Sequence, residues 1–467
     1  MAQIPILNGI YADQSPDFRV SYPVNLIPVP LSQGISNGYL RPAEGIVSFA
    51  TGLGVDRGGI EWSGTCYRVM GTKLVSVASD GTVNELGDVG GSGQVTFDYS
   101  FDRLAIASSG NLYYWDGTTL EQVTDPDLGT VVDFCWVDGY FFTTDGEFLI
   151  VTELDDPTQV NPLKYGSSEV DPDPVKAIVK LRNEVYALNR HTIEVFDNVG
   201  GDFFPFQRID GAQIQRGVVG THACCVYLEN VAFLGSGRGE SPAIYVGANS
   251  STVKISTREI EQVLQTYSET ELSTVLFEAK TDKAHQQLWV HLPDRTLVYD
   301  AAASQAMGNP VWITLTSSLS DFAQYRAKNL VWCYDKWLVG DTQSDAIGYL
   351  DDSISTQYGE DVRWEFGTTI IYAEGRGAII NNLELVALTG SVEFGLDPTI
   401  STSYSVDGIN WSQDKFIRVG KQGDRAKRLV WFQQGNMRNW RIQRFRGDTQ
   451  AHLSFARLEA QIEPLAY

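Results

Sequence analysis

Short runs of alternating or continuous apolar residues, each ended by a glycine-containing turn, fill most of the chain. In "RLAIASSGNLYYWDGTTLEQV" Leu104–Ser108 and Leu112–Trp115 are two such runs, and Asp116-Gly117 is the turn that follows them. The β-branched and aromatic side chains suit a pleated, half-buried surface. Gly accepts a positive φ, and Asp bonds its own backbone, so Asp-Gly ends a strand and reverses the chain. The pattern recurs. Strand–turn–strand units open at Tyr67, Leu104, Phe141, Val185, Val231, Leu288 and Leu338, and their second strands open at Leu74, Leu112, Phe148, Ile193, Ile244, Leu297 and Ile347. Successive units begin between 37 and 57 residues apart, as those first positions show. A period near 45 residues with a hairpin at its centre predicts four-stranded propeller blades, six or seven of them. Trp115-Asp116, Phe196-Asp197 and Tyr299-Asp300 each close a second strand with an aromatic residue, expected between blades, and an Asp that starts a turn.

Two stretches depart from this pattern. "STREIEQVLQTYSETELSTV" places Ile260, Val263, Leu264 and Tyr267 on one helical face, and Ser256/Glu259 and Ser268/Glu271 have capping-box spacing, so two short helices are expected over about 256–276. After about residue 375, "INNLELVAL", "SVEFGL", "STSYSVDGINWS", "RLVWFQQ", "NWRIQRFRG" and "AHLSFARLEAQIE" read as at least six strands of a separate β-sandwich. The expected organisation is all-β: residues 1–50 an arm that closes the propeller ring or packs on the C-terminal domain, 51–374 the propeller, and 375–467 the sandwich platform.

Length and composition agree. The chain has 467 residues, 43% of them hydrophobic and 44 of them glycine, enough for several cores. Its start has no basic segment followed by an apolar one, so no signal peptide is expected, and no window reaches membrane-spanning length. The five cysteines are scattered without metal or disulfide spacing, which predicts reduced thiols and folding in a cytoplasm.

The formal charge of −23 excludes a general nucleic-acid binder, which needs clustered Lys and Arg. One segment runs the other way. Between Trp411 and Arg446 ten basic residues face two acidic ones. Within it Arg425, Lys427, Arg428, Arg438, Arg441, Arg444 and Arg446 form a candidate contact for an acidic partner.

No catalytic or metal-ligating constellation emerges. "SVDGINW" resembles the Asp-box of sialidases, but Gly408 follows Asp407 directly and Trp411 comes one residue early, so an Asp-Gly turn explains it. "GSGRGES" lacks the Gly-Lys-Ser/Thr ending and following helix of a phosphate loop. His191, His222, His285, His291 and His452 are dispersed, and Asp155, Asp156, Asp171 and Asp173 lack the ligand ladder of a calcium loop. No cofactor or metal is expected, and no enzyme. The competing reading is a carbohydrate-binding or glycosidase-like propeller acting on host surface polysaccharide.

Seven strings, in order, resemble a known family: "NGYLRPAEGI", "GDVGGSGQV", "TIEVFD", "GVVGTHACC", "STREIEQVLQTYSETEL", "LWVHLPDRTLVYDAAASQ" and "SVDGINWS". They are similar to the tail-hub, or nozzle, proteins of short-tailed phages, the packaged-DNA stabilisation proteins of podoviruses. The resemblance implies a structural virion protein in the phage tail. It implies a homo-hexameric ring below the head-to-tail adaptor that retains packaged DNA, holds tailspikes or fibres and seats a needle or plug. Double-stranded DNA would leave through the ring without specific binding, and six copies at −23 each would repel its phosphates.

Overall fold

The computed structural model describes residues 2–7, 10–11, 20–31, 36–372 and 376–465, so parts of the expected arm and the extreme C-terminus lie outside the described residues. Strands hold 53% and helices 5%, the all-β composition expected. Seven antiparallel sheets of four or five strands follow one another along the chain. Blades 1 to 4 span Asp56–Asp88, Thr96–Gln122, Asp133–Ser167 and Val175–Arg208. Blade 5 spans Gly217–Lys254 and blade 6 Leu276–Leu315. Blade 7 takes three strands from Ala327–Asp351, and its outermost strand is Gly45–Thr51 from the N-terminal arm. Each inner strand contacts that of the next blade, and blade 7 meets blade 1, so the ring is closed.

The hairpins legible in the sequence are the second and third strands of every blade, for example Leu104–Ser108 with Asn111–Trp115. Those middle strands are buried on both faces and read as apolar runs, whereas the outer strands are more polar and more exposed. There is no single core: separate apolar clusters lie between neighbouring blades. Trp115 fills the joint of blades 1 and 2, and Phe196 that of blades 3 and 4. The Asp116 carboxylate accepts the Thr118 and Thr119 N–H groups, both at 2.7 Å, and makes the anticipated turn. Asp300 acts differently: it N-caps a third helix, Ala301–Met307, which Gly308 ends at φ 72°.

The two expected helices are Arg258–Leu264 and Glu269–Leu272. The Ser268/Glu271 capping box forms. The Ser256/Glu259 box does not, because the N-cap is Thr257 and the Ser256 hydroxyl is drawn into blade 5, where it accepts the Ile244 N–H.

The sandwich joins a seven-stranded sheet to a five-stranded one. The first runs Leu26–Pro30, Gly38–Pro42, Ser454–Pro464, Ala378–Leu388, Leu429–Phe432, with Ala2–Ile4 and Asn436–Met437 at its margins. The second runs Arg363–Gly367, Trp440–Asp448, Thr399–Ser405, Lys415–Arg418, with Ile371–Tyr372 also on Trp440–Asp448. Trp364, Phe366, Phe445 and Phe455 fill the space between, with ring centroids 4.8–6.0 Å apart. Two corrections follow. The change of sheet comes at Arg363 rather than 375, because "RWEFG" alternates in phase with the sandwich core. The arm also does both of its alternative jobs: Leu26–Pro42 extends the sandwich and Gly45–Thr51 closes the ring.

Just ahead of both segments Asn25 bolts the modules together. Its Nδ2 donates to the Thr316 carbonyl at 2.9 Å and the Arg363 carbonyl at 2.7 Å, and its Oδ1 accepts the Thr316 N–H at 3.0 Å. Its φ of 52° suits Asn better than most residues. Val24 pairs with Glu365 of the sandwich and lies beside Thr314 of blade 6. Phe322 adds a second clamp, with the guanidinium of Arg295 3.9 Å and that of Arg363 4.8 Å from its ring centre.

Candidate functional site

Three places concentrate charge or exposed aromatic surface. The first is the propeller axis. Inner strands fan apart there, and at several joints a carboxylate bridges the gap. Asp98 of blade 2 accepts the Trp136 N–H of blade 3 at 2.6 Å. Asp133 of blade 3 accepts the Ile178 N–H of blade 4 at 2.8 Å and the Thr96 hydroxyl of blade 2 at 2.9 Å. Glu278 of blade 6 accepts the Asn329 and Leu330 N–H groups of blade 7. At the ring closure Asp56 accepts the Asn329 amide at 2.6 Å and pairs with the fully buried Arg68 at 3.1 Å.

These bonds satisfy backbone donors that strand pairing leaves open. Burial pushes the Asp133 carboxyl up to about 7, against its bonds to Ile178 and Thr96 and with Asp98 nearby. Burial also pulls His222 down to about 4 and lowers Lys328. His291 lies 2.8 Å from Glu278 and bonds Thr296 through its other nitrogen. The axial acids are thus committed to holding blades together. Among the described residues no three His, Cys, Asp or Glu side chains gather as a metal would need. Asp171 pairs with Arg238, Asp173 accepts the His191 N–H, and Asp156 caps its own turn at Thr158.

The second place is the basic segment, which the structure divides. Arg425, Lys427 and Arg438 are exposed. Arg428 is exposed and pairs with Glu384 at 2.5 Å. Arg444 lies 3.9 Å over the Trp411 ring, and Arg446 pairs with Asp414 at 2.5 Å. Arg441 is wholly buried and so cannot serve as a contact. It donates to the Gln434 carbonyl at 2.8 Å and the Gln443 side chain at 2.5 Å and stacks on Tyr404. The reason is strand alternation: Arg441, Gln443 and Phe445 point into the sandwich, whereas Arg444 and Arg446 point out. Arg425 also lines a cavity of about 640 Å³ between the modules, with Asp361, Glu393, Gln450, His452 and the exposed Leu388.

The third place lies at one end of the disc, where the inner strands of blades 1 to 4 terminate. Trp62, Tyr99, Phe101 and Trp136 gather there around a cleft. Sequence reasoning passed over it. The signal was an aromatic residue at the first turn of three consecutive blades, "EWSGT", "DYSFDR" and "CWVDG", where polar residues are the rule.

A closed propeller carrying a sandwich, with its axial charges spent on holding blades together, has the build of a structural assembly protein. The chain belongs to the family described as Bacteriophage P22 Gp10: the model of that family's β-propeller matches residues 2–355 and that of its β-sandwich residues 363–463. A curated relative, tail hub protein gp10 of Salmonella phage P22, is 28% identical over 460 residues, covering 93% of this chain and 94% of the relative. The chain is accordingly a structural protein of the phage tail, and its place is the virion. Among solved structures, the PorZ component of the Porphyromonas gingivalis type-IX secretion system aligns over 80% of this chain and 46% of its own, at 11% identity and a TM-score of 0.41. The Neurospora crassa Pan2 WD40 domain aligns over 66% of this chain and 96% of its own, at 7% identity and a TM-score of 0.43. At such scores neither says anything about function. No helix among the described residues is long and apolar enough to cross a membrane.

Proposed function

We propose that six copies of the chain form a ring at the base of the head, acting as a hub without catalysis. The ring joins the head-to-tail adaptor to tailspikes or fibres and to a needle or plug, retains packaged double-stranded DNA and lets it leave through the central channel. One observation carries this reading: both modules match a tail hub protein in the same order over nearly the full length of each chain. The charge of −23 per chain supports it, because an acidic passage repels phosphate and lets DNA slide. The exposed Arg425, Lys427 and Arg438 are the contact to an acidic neighbour in the tail.

Imaging and mass measurement of complete particles test the ring. Six copies in one ring are expected, and heads assembled without the chain should lose their DNA. A different copy number, or full DNA retention without the chain, contradicts the proposal. Reversing Arg425, Lys427 and Arg438 to Glu should leave the chain folded but unable to join DNA-filled heads. Normal particles from that variant would remove the basic contact from the scheme.

A further inference from the structure

The cleft at the end of blades 1 to 4 has chemistry that neither the fold nor the hub role requires. It encloses about 440 Å³, within the range of small-ligand sites. Trp62, Tyr99, Phe101 and Trp136 supply all of its large apolar side chains, and no aliphatic side chain lines it. Polar groups sit between the rings: Glu61 and Lys180, with the Ser63 and Ser100 hydroxyls, while the Asp98 carboxylate that also lines the cleft is held by the Trp136 and Tyr99 N–H groups. Phe101 is 94% exposed, yet its ring stands edge-on to Trp136 with centroids 5.4 Å apart and forms a wall of the cleft. Lys180 lies 4.9 Å from the centre of the Trp136 ring.

A contrast inside the molecule shows what is unusual. The shallow cavity between blades 5 and 6 mixes Tyr227 and Tyr299 with Leu228, Val246, Val253 and Ile255, so aliphatic side chains make up much of its apolar wall. The cleft of blades 1 to 4 offers flat rings and hydrogen-bonding groups only. A pyranose ring matches that set. One face presents polarised C–H bonds, which the negative face of an aromatic ring attracts. The rim presents hydroxyls, which need carboxylate acceptors and ammonium or hydroxyl donors. With the Asp98 carboxylate held by the Trp136 and Tyr99 N–H groups, Glu61 stands against Lys180, and the cleft lacks the positive excess an acidic sugar needs.

We infer that this cleft binds an uncharged hexose-based glycan, a role that goes beyond the hub reading and does not depend on it. The purified full chain is titrated, by calorimetry and tryptophan fluorescence, with maltohexaose, isomaltohexaose, cellohexaose and mannohexaose. A hyaluronan octasaccharide and a proline-rich decapeptide serve as acidic and peptide comparators. At least one neutral hexaose should bind in preference to both comparators. Phe101→Ala and Tyr99→Ala should each weaken that binding about five- to tenfold. Leu163→Ala, an exposed apolar residue of blade 3 outside the cleft, should not change it. Phe101 is solvent-exposed at a turn, so its loss leaves the blade intact. No binding by any neutral hexaose, tighter binding of either comparator, or indifference to both aromatic substitutions overturns the assignment. Oxidative footprinting of assembled particles provides a further arm: Trp62 and Phe101 should remain reactive, and their protection by a neighbouring tail protein would show that the cleft is a protein interface instead.

Discussion

In blade 2 the strands Thr96–Tyr99, Leu104–Ser108, Asn111–Trp115 and Leu120–Gln122 pair in the order the chain makes them. In the sandwich, Ser454–Pro464 lies between Gly38–Pro42 and Ala378–Leu388, partners separated from each other by most of the sequence. The propeller is therefore assembled from local hairpins and the sandwich from distant ends, with the N-terminal arm belonging to both. The two modules also treat buried charge differently. At its ring closure the propeller places Arg68 opposite Asp56, and along its axis carboxylates accept backbone N–H groups. The sandwich buries Arg441 against a carbonyl, a side-chain amide and a tyrosine ring. Charge in the propeller thus serves to close a ring whose strands cannot pair across the axis, whereas in the sandwich the sheets meet through apolar surface.

Breaking the charge pair at the closure should have the largest effect. Asp56→Ala leaves Arg68 buried without its carboxylate and removes an acceptor from Asn329. A loss of about 3–5 kcal/mol is expected in denaturant unfolding. The double variant Asp56→Ala/Arg68→Met should recover much of that loss, because it removes the stranded charge. If the double variant is as unstable as the single one, the pair is not what closes the ring.

Asn25→Ala comes next. Three hydrogen bonds between arm, blade 6 and sandwich disappear, at a cost of about 2–3 kcal/mol. Calorimetry should show the consequence directly. The wild-type modules should melt together, and the variant should resolve a separate sandwich transition. An undivided transition at the wild-type temperature would show that Phe322 and the strand pairing of Val24 suffice to couple them.

Much of this was legible in the sequence, and the reason is locality. The middle hairpin of each blade needs only its own residues, so apolar runs and Asp-Gly turns reveal it, as at Leu104–Trp115. The strand that closes the ring, "GIVSFAT", looks like any other strand; its partner Ala346–Asp351 lies some 300 residues away, and no local signal names it. Asn25 was equally silent, since its three bonds go to residues 291 or more positions distant. The basic segment was legible as charge but not as surface. Arg441 and Arg444 look alike in "NWRIQRFRG", and only the phase of the strand against the core sends one inward and the other outward.

A smaller, pH-dependent effect tests the axial carboxylates. The folded pKa of Asp133 is raised to about 7 from 3.8, so the folded state holds a proton that the unfolded chain has already lost across that interval. The contribution of this group to stability is fully present below about pH 4 and declines as pH rises toward 7, by at most about 1.4 kcal/mol per pH unit. Asp133→Asn cannot ionise, so the difference in melting temperature between wild type and variant should move in the variant's favour from pH 4.5 to 7.5. A difference that stays constant over that range would show that Asp133 does not titrate there.

The smallest effect on stability belongs to the surface of the sandwich, and its smallness is the point. Arg425, Lys427 and Arg438 are exposed, so reversing all three to Glu should move the unfolding free energy by no more than about 0.5 kcal/mol. The same triple change should abolish joining to DNA-filled heads. A propeller variant such as Asp56→Ala, by contrast, loses assembly only through loss of folded protein, so its defect should shrink on cooling or at higher protein concentration. The defect of the triple variant should not. If the triple variant instead melts well below wild type, its assembly defect is a folding defect, and the division between a module that spends its charge on closing a ring and one that presents charge to a neighbour fails.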